Sequence, residues 1–325
     1  MFHHRLRVSR LAAATLGALL PLSAGIAGSG PDLSFITINP PGSVETRAFS
    51  ITDSGDVAGL YVTSDNRVHG FLLTRGVYTS IDVPGSIRTN ALGASEPLSH
   101  SEDEQALGAQ RGLAVVGRYD TPDGVAHGYV LRDGGFSTID YAYPAGYAGT
   151  RFTVATSINP RGDIAGRYLG TDNLFHGFTL TDGVFTTIDH PDGRSIHGIA
   201  LNHRGDLAGY YEDASRRVHG FQLNDGVYST IDPPGSIATG GPSGILALNS
   251  REMVGYYRVA PATQPCGCDG QRGFVYKEGG FTTVDIPGAI STSLTGVNRR
   301  GDLVGSYQDS TGRRHGVVIP VRHGK

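Results

Sequence analysis

NPRGDIAGRYLGTDNLFHGFTLTDGVFTTID, residues 159–189, recurs in altered copies along almost the whole chain. Residues 163–168 alternate apolar and polar side chains with period two, as a half-buried strand does, and residues 176–180 repeat the pattern. Asp182-Gly183 follows, a two-residue hairpin signal, because both turn residues need positive φ. Residues 184–189 form the returning strand, rich in β-branched and aromatic side chains. The remaining strand is the short run 154–158, joined to the unit by the turn Asn159-Pro160-Arg161-Gly162. No apolar i, i+3, i+4 stripe is present, so a helical unit is excluded. Four short strands per repeat predict an all-β fold, a β-propeller in which each copy supplies one four-stranded antiparallel blade.

Two anchors lay out the copies. Gly-x-Tyr occurs at Gly59/Tyr61, Gly117/Tyr119, Gly166/Tyr168, Gly209/Tyr211, Gly255/Tyr257 and Gly305/Tyr307. His-Gly opens the next strand at His69, His127, His176, His219 and His315, with Arg272-Gly273 in the odd copy. Spacings of about 43 to 58 residues suit a blade, and six anchors predict six blades. The text of residues 33–43 matches the outer-strand text of residues 227–236, and the last copy stops after its third strand. An N-terminal strand is therefore expected to complete the last blade and remove its open edge.

The pattern Asn-x-x-Gly-Asp-hydrophobic-x-Gly-x-Tyr, then His-Gly-Phe, then Asp-Gly-x-Phe/Tyr-x-Thr-Ile-Asp resembles the extracellular bacterial repeats called HAF repeats. The resemblance covers roughly residues 33–320, although this chain has Gly where the family's name puts Ala. It implies an extracellular propeller and carries no assigned activity.

Glycine, at 48 residues, is about twice its usual share and falls at fixed places in each repeat. Residues 1–27 read as a secretory signal: Arg5, Arg7 and Arg10, then an apolar run, then small residues for cleavage. Pro21 and the glycines cut that run short of a membrane span. The expected division is a signal over 1–27, one propeller over 28–320 and a tail over 321–325. Removing the three arginines takes 27 basic residues to 24 against 30 acidic ones, a charge of −6. No basic cluster marks a strand face, so neither nucleic acid nor an anionic membrane is an expected partner.

In a blade, the second-to-third loop and the link to the next blade share one face. The two tight turns share the other. Three long departures are assigned to the first set: residues 95–111 and 141–152 as links, and 260–271 inside blade five. Function tends to sit on loops held by a rigid scaffold, so that face is the expected binding surface. The candidates there are Tyr141, Tyr143, Tyr147 and Phe152, which could stack on a sugar or peptide or pack over the blade, and the acidic segment with His100, Glu102 and Asp103. Cys266 and Cys268 offer a small disulfide or two free thiols.

The repeated histidines occupy one equivalent position per blade and are read as structural, bonding a nearby Asp or backbone group. The tyrosines are expected between blades with the hydroxyl at a polar rim. The Ile-Asp ends, such as Asp82 and Asp189, are expected to bond their own backbone in the following turn. Three Arg-Gly-Asp tripeptides (161–163, 204–206, 300–302) sit in one hairpin turn, where turn chemistry accounts for them. There is no Gly-x-Ser-x-Gly, His-Glu-x-x-His or phosphate loop, and no cofactor or metal is called for. The expected function is a secreted or periplasmic binding module for an extracellular glycan, peptide or protein. The alternative is an extracellular hydrolase or lyase acting on a polysaccharide or small ester at the same face.

Overall fold

A computed structural model describes residues 33–96, 112–236, 244–249, 251–259 and 270–321. Residues 1–27, His100, Glu102, Asp103, Cys266 and Cys268 lie outside them. Every regular element among the described residues is a strand, and the strands fall into six units of four. Blade 1 comprises Ser43–Ile51, Val57–Thr63, Val68–Thr74 and Val77–Ile81. Blade 2 comprises Arg88–Ser95, Ala114–Asp120, Ala126–Arg132 and Gly135–Ile139. Blade 3 has Thr153–Ile158, Ile164–Leu169, Phe175–Thr181 and Val184–Ile188; blade 4 has Gly193–Leu201, Leu207–Asp213, Val218–Asn224 and Val227–Thr230. Blade 5 has Gly244–Leu248, Glu252–Arg258, Gln271–Lys277 and Gly280–Val284. Blade 6 has Ser291–Val297, Leu303–Gln308 and Arg314–Ile319, and its outer strand is Ile36–Ile38 from the start of the chain. Blades 1 and 2 touch as one sheet only through a single parallel pair, Val68 with Arg88.

The ring closes as the sequence predicts. Ile36, Thr37 and Ile38 pair antiparallel with Val318, Val317 and Gly316. The Thr37 and Tyr307 hydroxyls meet at 3.0 Å, and Asn39 donates to His315 Nδ1 at 3.0 Å.

The core lies between blades. In five copies the ring after His-Gly or Arg-Gly (Phe71, Tyr129, Phe178, Phe221, Phe274) is wholly buried, each contributing about 1.5–3 kcal/mol of hydrophobic stabilisation. Phe178 packs on Val116 and Ile139 of blade 2, Phe221 on Ala165 of blade 3, and Phe274 on Ala208 and Ile231 of blade 4. Tyr129 meets Ala58 of blade 1, Val317 meets Val254 of blade 5, and Phe71 meets Val304 of blade 6. Six such interfaces complete the circle.

That packing explains the glycine of Gly-x-Tyr. A Cβ on Gly166 would stand 2.1 Å from the Val154 carbonyl oxygen and 2.6 Å from the Phe178 ring. The requirement is close approach, since no positive φ is recorded there.

At the far end of the inner strands, side-chain amides stitch one blade to the next. Asn159 donates to the Asn202 carbonyl at 3.3 Å, Asn249 to that of Asn298 at 2.8 Å, and Asn298 to that of Thr52 at 3.0 Å. The Arg-Gly-Asp tripeptides sit in these turns, with Gly162 at φ +90° and Arg161 paired to Asp163 at 2.8 Å. The pairing holds the guanidinium against its own turn.

One loop assignment is corrected. Arg88–Ser95 is the inner strand of blade 2, and Ala114–Asp120 is its second strand. The stretch 95–111 thus separates first from second strand of one blade and is not a link between blades; residues 97–111 themselves lie outside the described residues. The error has a physical origin: this inner strand is built of small residues (Ala91, Gly93, Ala94) and lacks the Asn-x-x-Gly-Asp turn that marks its counterparts. Residues 141–152 do fall on the link face, and residues 260–269 lie outside the described residues.

Candidate functional site

Blades 1 to 4 carry the same polar cassette where strands two, three and four reach the link face. His69, His127, His176 and His219 donate through Nδ1 to Asp82, Asp140, Asp189 and Asp232 at 2.8, 2.7, 2.7 and 2.7 Å. The register forces the pairing: Gly177 stands opposite Ile188, so the preceding His and the following Asp meet. The Ile-Asp carboxylates therefore serve the neighbouring strand rather than the turn, contrary to the sequence expectation. Beside each pair a tyrosine ring lies against the imidazole, as Tyr61 does on His69 at 5.1 Å and Tyr168 on His176 at 5.3 Å. The tyrosine hydroxyls bond outer-strand Ser or Thr of the same blade, Tyr61 to Ser80 at 2.7 Å and Tyr168 to Thr187 at 2.9 Å. They do not reach outward to a rim.

The cassette is structural. Blade 5 replaces the imidazole with Arg272, 3.2 Å from Asp285, and a guanidinium cannot exchange a proton near neutrality. Blade 6 replaces the carboxylate with Asn39. Burial draws the His176 and His219 imidazoles down. Bonds to Asp189 and Asp172, and to Asp232 and Asp213, outweigh it and hold both above the ordinary value.

The aromatic link 141–152 folds onto itself. Tyr141 stacks on Tyr168 of blade 3 at 3.9 Å, and Tyr143 stacks on Tyr147 at 4.9 Å. The Tyr143 hydroxyl donates to the Leu169 carbonyl at 2.8 Å and accepts from the Phe152 N–H at 3.1 Å. A small cavity of about 190 Å³ remains between Tyr141, Tyr143, Arg151, Phe152 and the His127–Asp140 pair. His190 takes the position of Tyr141 in the next copy and stacks on Tyr211 at 3.7 Å. These rings chiefly clamp one blade to the next.

Phe152 also begins an arrangement that sequence reading passed over. Arg118 stands over its ring at 4.6 Å and Arg167 at 5.6 Å. Arg167 also lies 4.7 Å over Phe175, and Phe175 packs on His197 at 5.7 Å. His197 in turn stacks on Tyr210 at 6.2 Å. The residue between Gly and Tyr of each Gly-x-Tyr is the source: Leu60, Arg118, Arg167, Tyr210, Tyr256 and Ser306. It was a blank in the repeat pattern, yet alternation sends it to the face opposite the conserved Tyr.

These groups form a chain of contacts from blade to blade. Tyr210 turns over Gly198 of its own inner strand, where a Cβ would stand 2.2 Å from the ring. Tyr256 of blade 5 is near enough to Arg47 of blade 1 and Arg314 of blade 6 for their charges to act on its phenol. Arg167 donates to the His197 carbonyl at 2.6 Å, and no carboxylate pairs with it among the described residues. Burial, with the nearby Arg118 charge, draws its pKa below the ordinary value, and burial with the charge of Arg47 does the same to Arg314. Burial pushes the Tyr210 and Tyr256 phenols up.

The opposite mouth of the axis opens into a cavity of about 510 Å³ bounded by the ends of all six inner strands. Asp53 and Arg299 form an ion pair across the blade 6–blade 1 junction at its rim, and Glu96 accepts from the Ser54 N–H at 3.1 Å. Residues 95–111 start from this rim. A groove of about 710 Å³ separates blades 1 and 2, with Leu72, Val115, Leu131 and Phe136 inside and Arg67 and Asp82 at its edge. Among the described residues no group of three or more His, Cys, Asp or Glu side chains could hold a metal ion.

No protein-family model and no curated protein matches the chain. Solved structures do. The lectin of Aleuria aurantia, described as a six-bladed β-propeller, superposes with a TM-score of 0.50 at 12% identity, over 89% of this chain and 100% of the lectin. AofleA from Arthrobotrys oligospora gives 0.51 at 12% identity, covering 90% and 86% of the two chains. The SapL1 lectin in complex with α-methyl fucoside gives 0.52 at 13% identity, covering 83% and 90%. This chain has the fold of a six-bladed β-propeller.

Proposed function

We propose that the chain is a non-catalytic glycan-binding module, secreted or periplasmic and of the HAF-repeat kind, which holds its ligand at the link-face mouth of the axial channel. The observation that carries the proposal is the chemistry gathered there. Guanidinium and phenol groups from several blades stand in a chain of contacts, fixed by stacking and, at Arg167, by a bond to the His197 carbonyl. They donate hydrogen bonds well and transfer protons poorly at neutral pH. Arginine stays charged, and the buried phenols titrate above their ordinary value. A hydrolase or lyase needs a group poised to exchange a proton. The His–Asp pairs that could do so recur as blade fastenings instead. The structurally similar Aleuria aurantia and SapL1 proteins, described as recognising fucose or binding a fucoside, support a saccharide as the ligand class.

The test is a glycan array probed with the chain lacking residues 1–27, wild type against a Tyr210→Phe/Tyr256→Phe double variant. Loss of phenol donors should weaken every genuine hit at least tenfold while leaving the unfolding curve in place. Hits that survive the double variant, or turnover of a bound glycan, would remove the proposal.

A further inference from the structure

We infer that the glycan is acidic, and that its carboxylate is taken by the arginines of the channel mouth; this rests on the binding function proposed above. The charge arrangement carries the inference. Arg118 is matched by Asp120 at 2.6 Å. Arg47 and Arg314 share the single carboxylate of Glu45, at 2.6 and 3.7 Å. Arg167 has a backbone carbonyl and two aromatic faces for company, with no acid among the described residues. The mouth is therefore cationic in a chain whose formal charge is negative. Clustered cations draw down each other's pKa, and an anion among them relieves that cost.

Geometry narrows the ligand further. Arg118 spends its own fork on Asp120, whereas Phe152 and Phe175 flank the guanidinium of Arg167 and leave the part of its N–H edge not bonded to the His197 carbonyl as the reactive side. A guanidinium edge fits a planar carboxylate through two parallel hydrogen bonds. Fixing the guanidiniums beforehand lowers the ordering cost of binding. Tyr210 and Tyr256 add phenol donors and acceptors suited to the hydroxyls of a sugar ring. A uronate sugar presents both features on one ring.

Titration calorimetry of the chain lacking residues 1–27 tests this with three short oligosaccharides, an oligogalacturonate, a hyaluronan fragment and an oligoalginate, each against its methyl ester. At least one acid form should bind at least tenfold more tightly than its ester and weaken as salt is raised. Arg167→Gln and Arg314→Gln should each reduce that affinity at least tenfold. Arg167→Lys should recover only part of it, because charge returns without the fork. Arg251→Gln, on the opposite face, should change nothing. Equal binding of acid and ester would overturn the inference while the binding function stands. So would acid binding that ignores both arginine variants. Failure of all three acids alongside array hits for neutral glycans overturns the inference alone. Failure on both platforms removes the inference and the function together.

Discussion

Ile38→Ala tests whether three residues near the start of the chain are true members of the ring. Ile38 is 4% exposed and packs with Phe71, Tyr61 and Val304 across the junction of blades 6 and 1. Its counterpart in a continuous blade is Ile81, also 4% exposed. Truncating a buried isoleucine to alanine costs about 2–5 kcal/mol through lost transfer energy and the cavity left behind. If the closing strand is docked as firmly as a covalently continuous one, Ile38→Ala and Ile81→Ala should cost the same within about 1 kcal/mol. Two residues away, Ile36 is 56% exposed, and Ile36→Ala should stay within about 0.5 kcal/mol. Urea unfolding of the chain lacking residues 1–27 reads this directly. With a slope near 3 kcal/mol/M for a domain of this size, the two buried variants should lose about 1 M in midpoint at unchanged slope. A small cost for Ile38→Ala beside a full cost for Ile81→Ala would mean that the N-terminal strand frays, and the closure argument would fail.

Two further outcomes are expected. Gly166→Ala should be among the most damaging single-methyl additions, costing about 1–3 kcal/mol by overpacking against the Val154 carbonyl and the Phe178 ring; urea midpoints within 0.1 M of wild type, roughly the measurement error, would refute the close-approach reading. The doubly bonded His219 has its pKa raised in the fold, so its stabilising effect is complete below the ordinary value near 6.5 and disappears as pH rises through the raised one. His190 and His197 shift downward by burial and give the opposite trend, so the quantity to measure is the stability difference between wild type and His219→Gln. That difference should shrink from pH 5.5 to pH 9; one that grows would refute the sign.

The fold was legible because its constraints repeat. Gly166 and its equivalents, the His-Gly strand opening and the outer-strand text of residues 33–43 each state one requirement of a blade, and six copies make it readable. The same reading gave each repeated histidine a nearby Asp or backbone group as partner, and strand register picks out the Asp, putting His176 beside Asp189, thirteen residues apart. Blade 2 defeated the pattern because its inner strand lacks the marker turn. The channel mouth was harder for the opposite reason. Its residues occupy the variable position of Gly-x-Tyr, and a method that looks for what recurs discards what differs. Arg118, Arg167, Tyr210 and Tyr256 share a place in the repeat but no common residue type, and only the ring brings them together.

The amide stitch between inner strands has an implication for how such a chain could change size. Across the seam Asn159 reads a backbone carbonyl of the copy that follows, and Asn249 and Asn298 do the same. A unit copied whole and spliced beside its original would present familiar contacts on both flanks and need no new chemistry. Opposition to a seventh unit would come from the wedge angle alone, because a full turn must then be shared among more wedges. At the seams that carry the stitch, growth and shrinkage are a question of geometry, while the bonding stays the same.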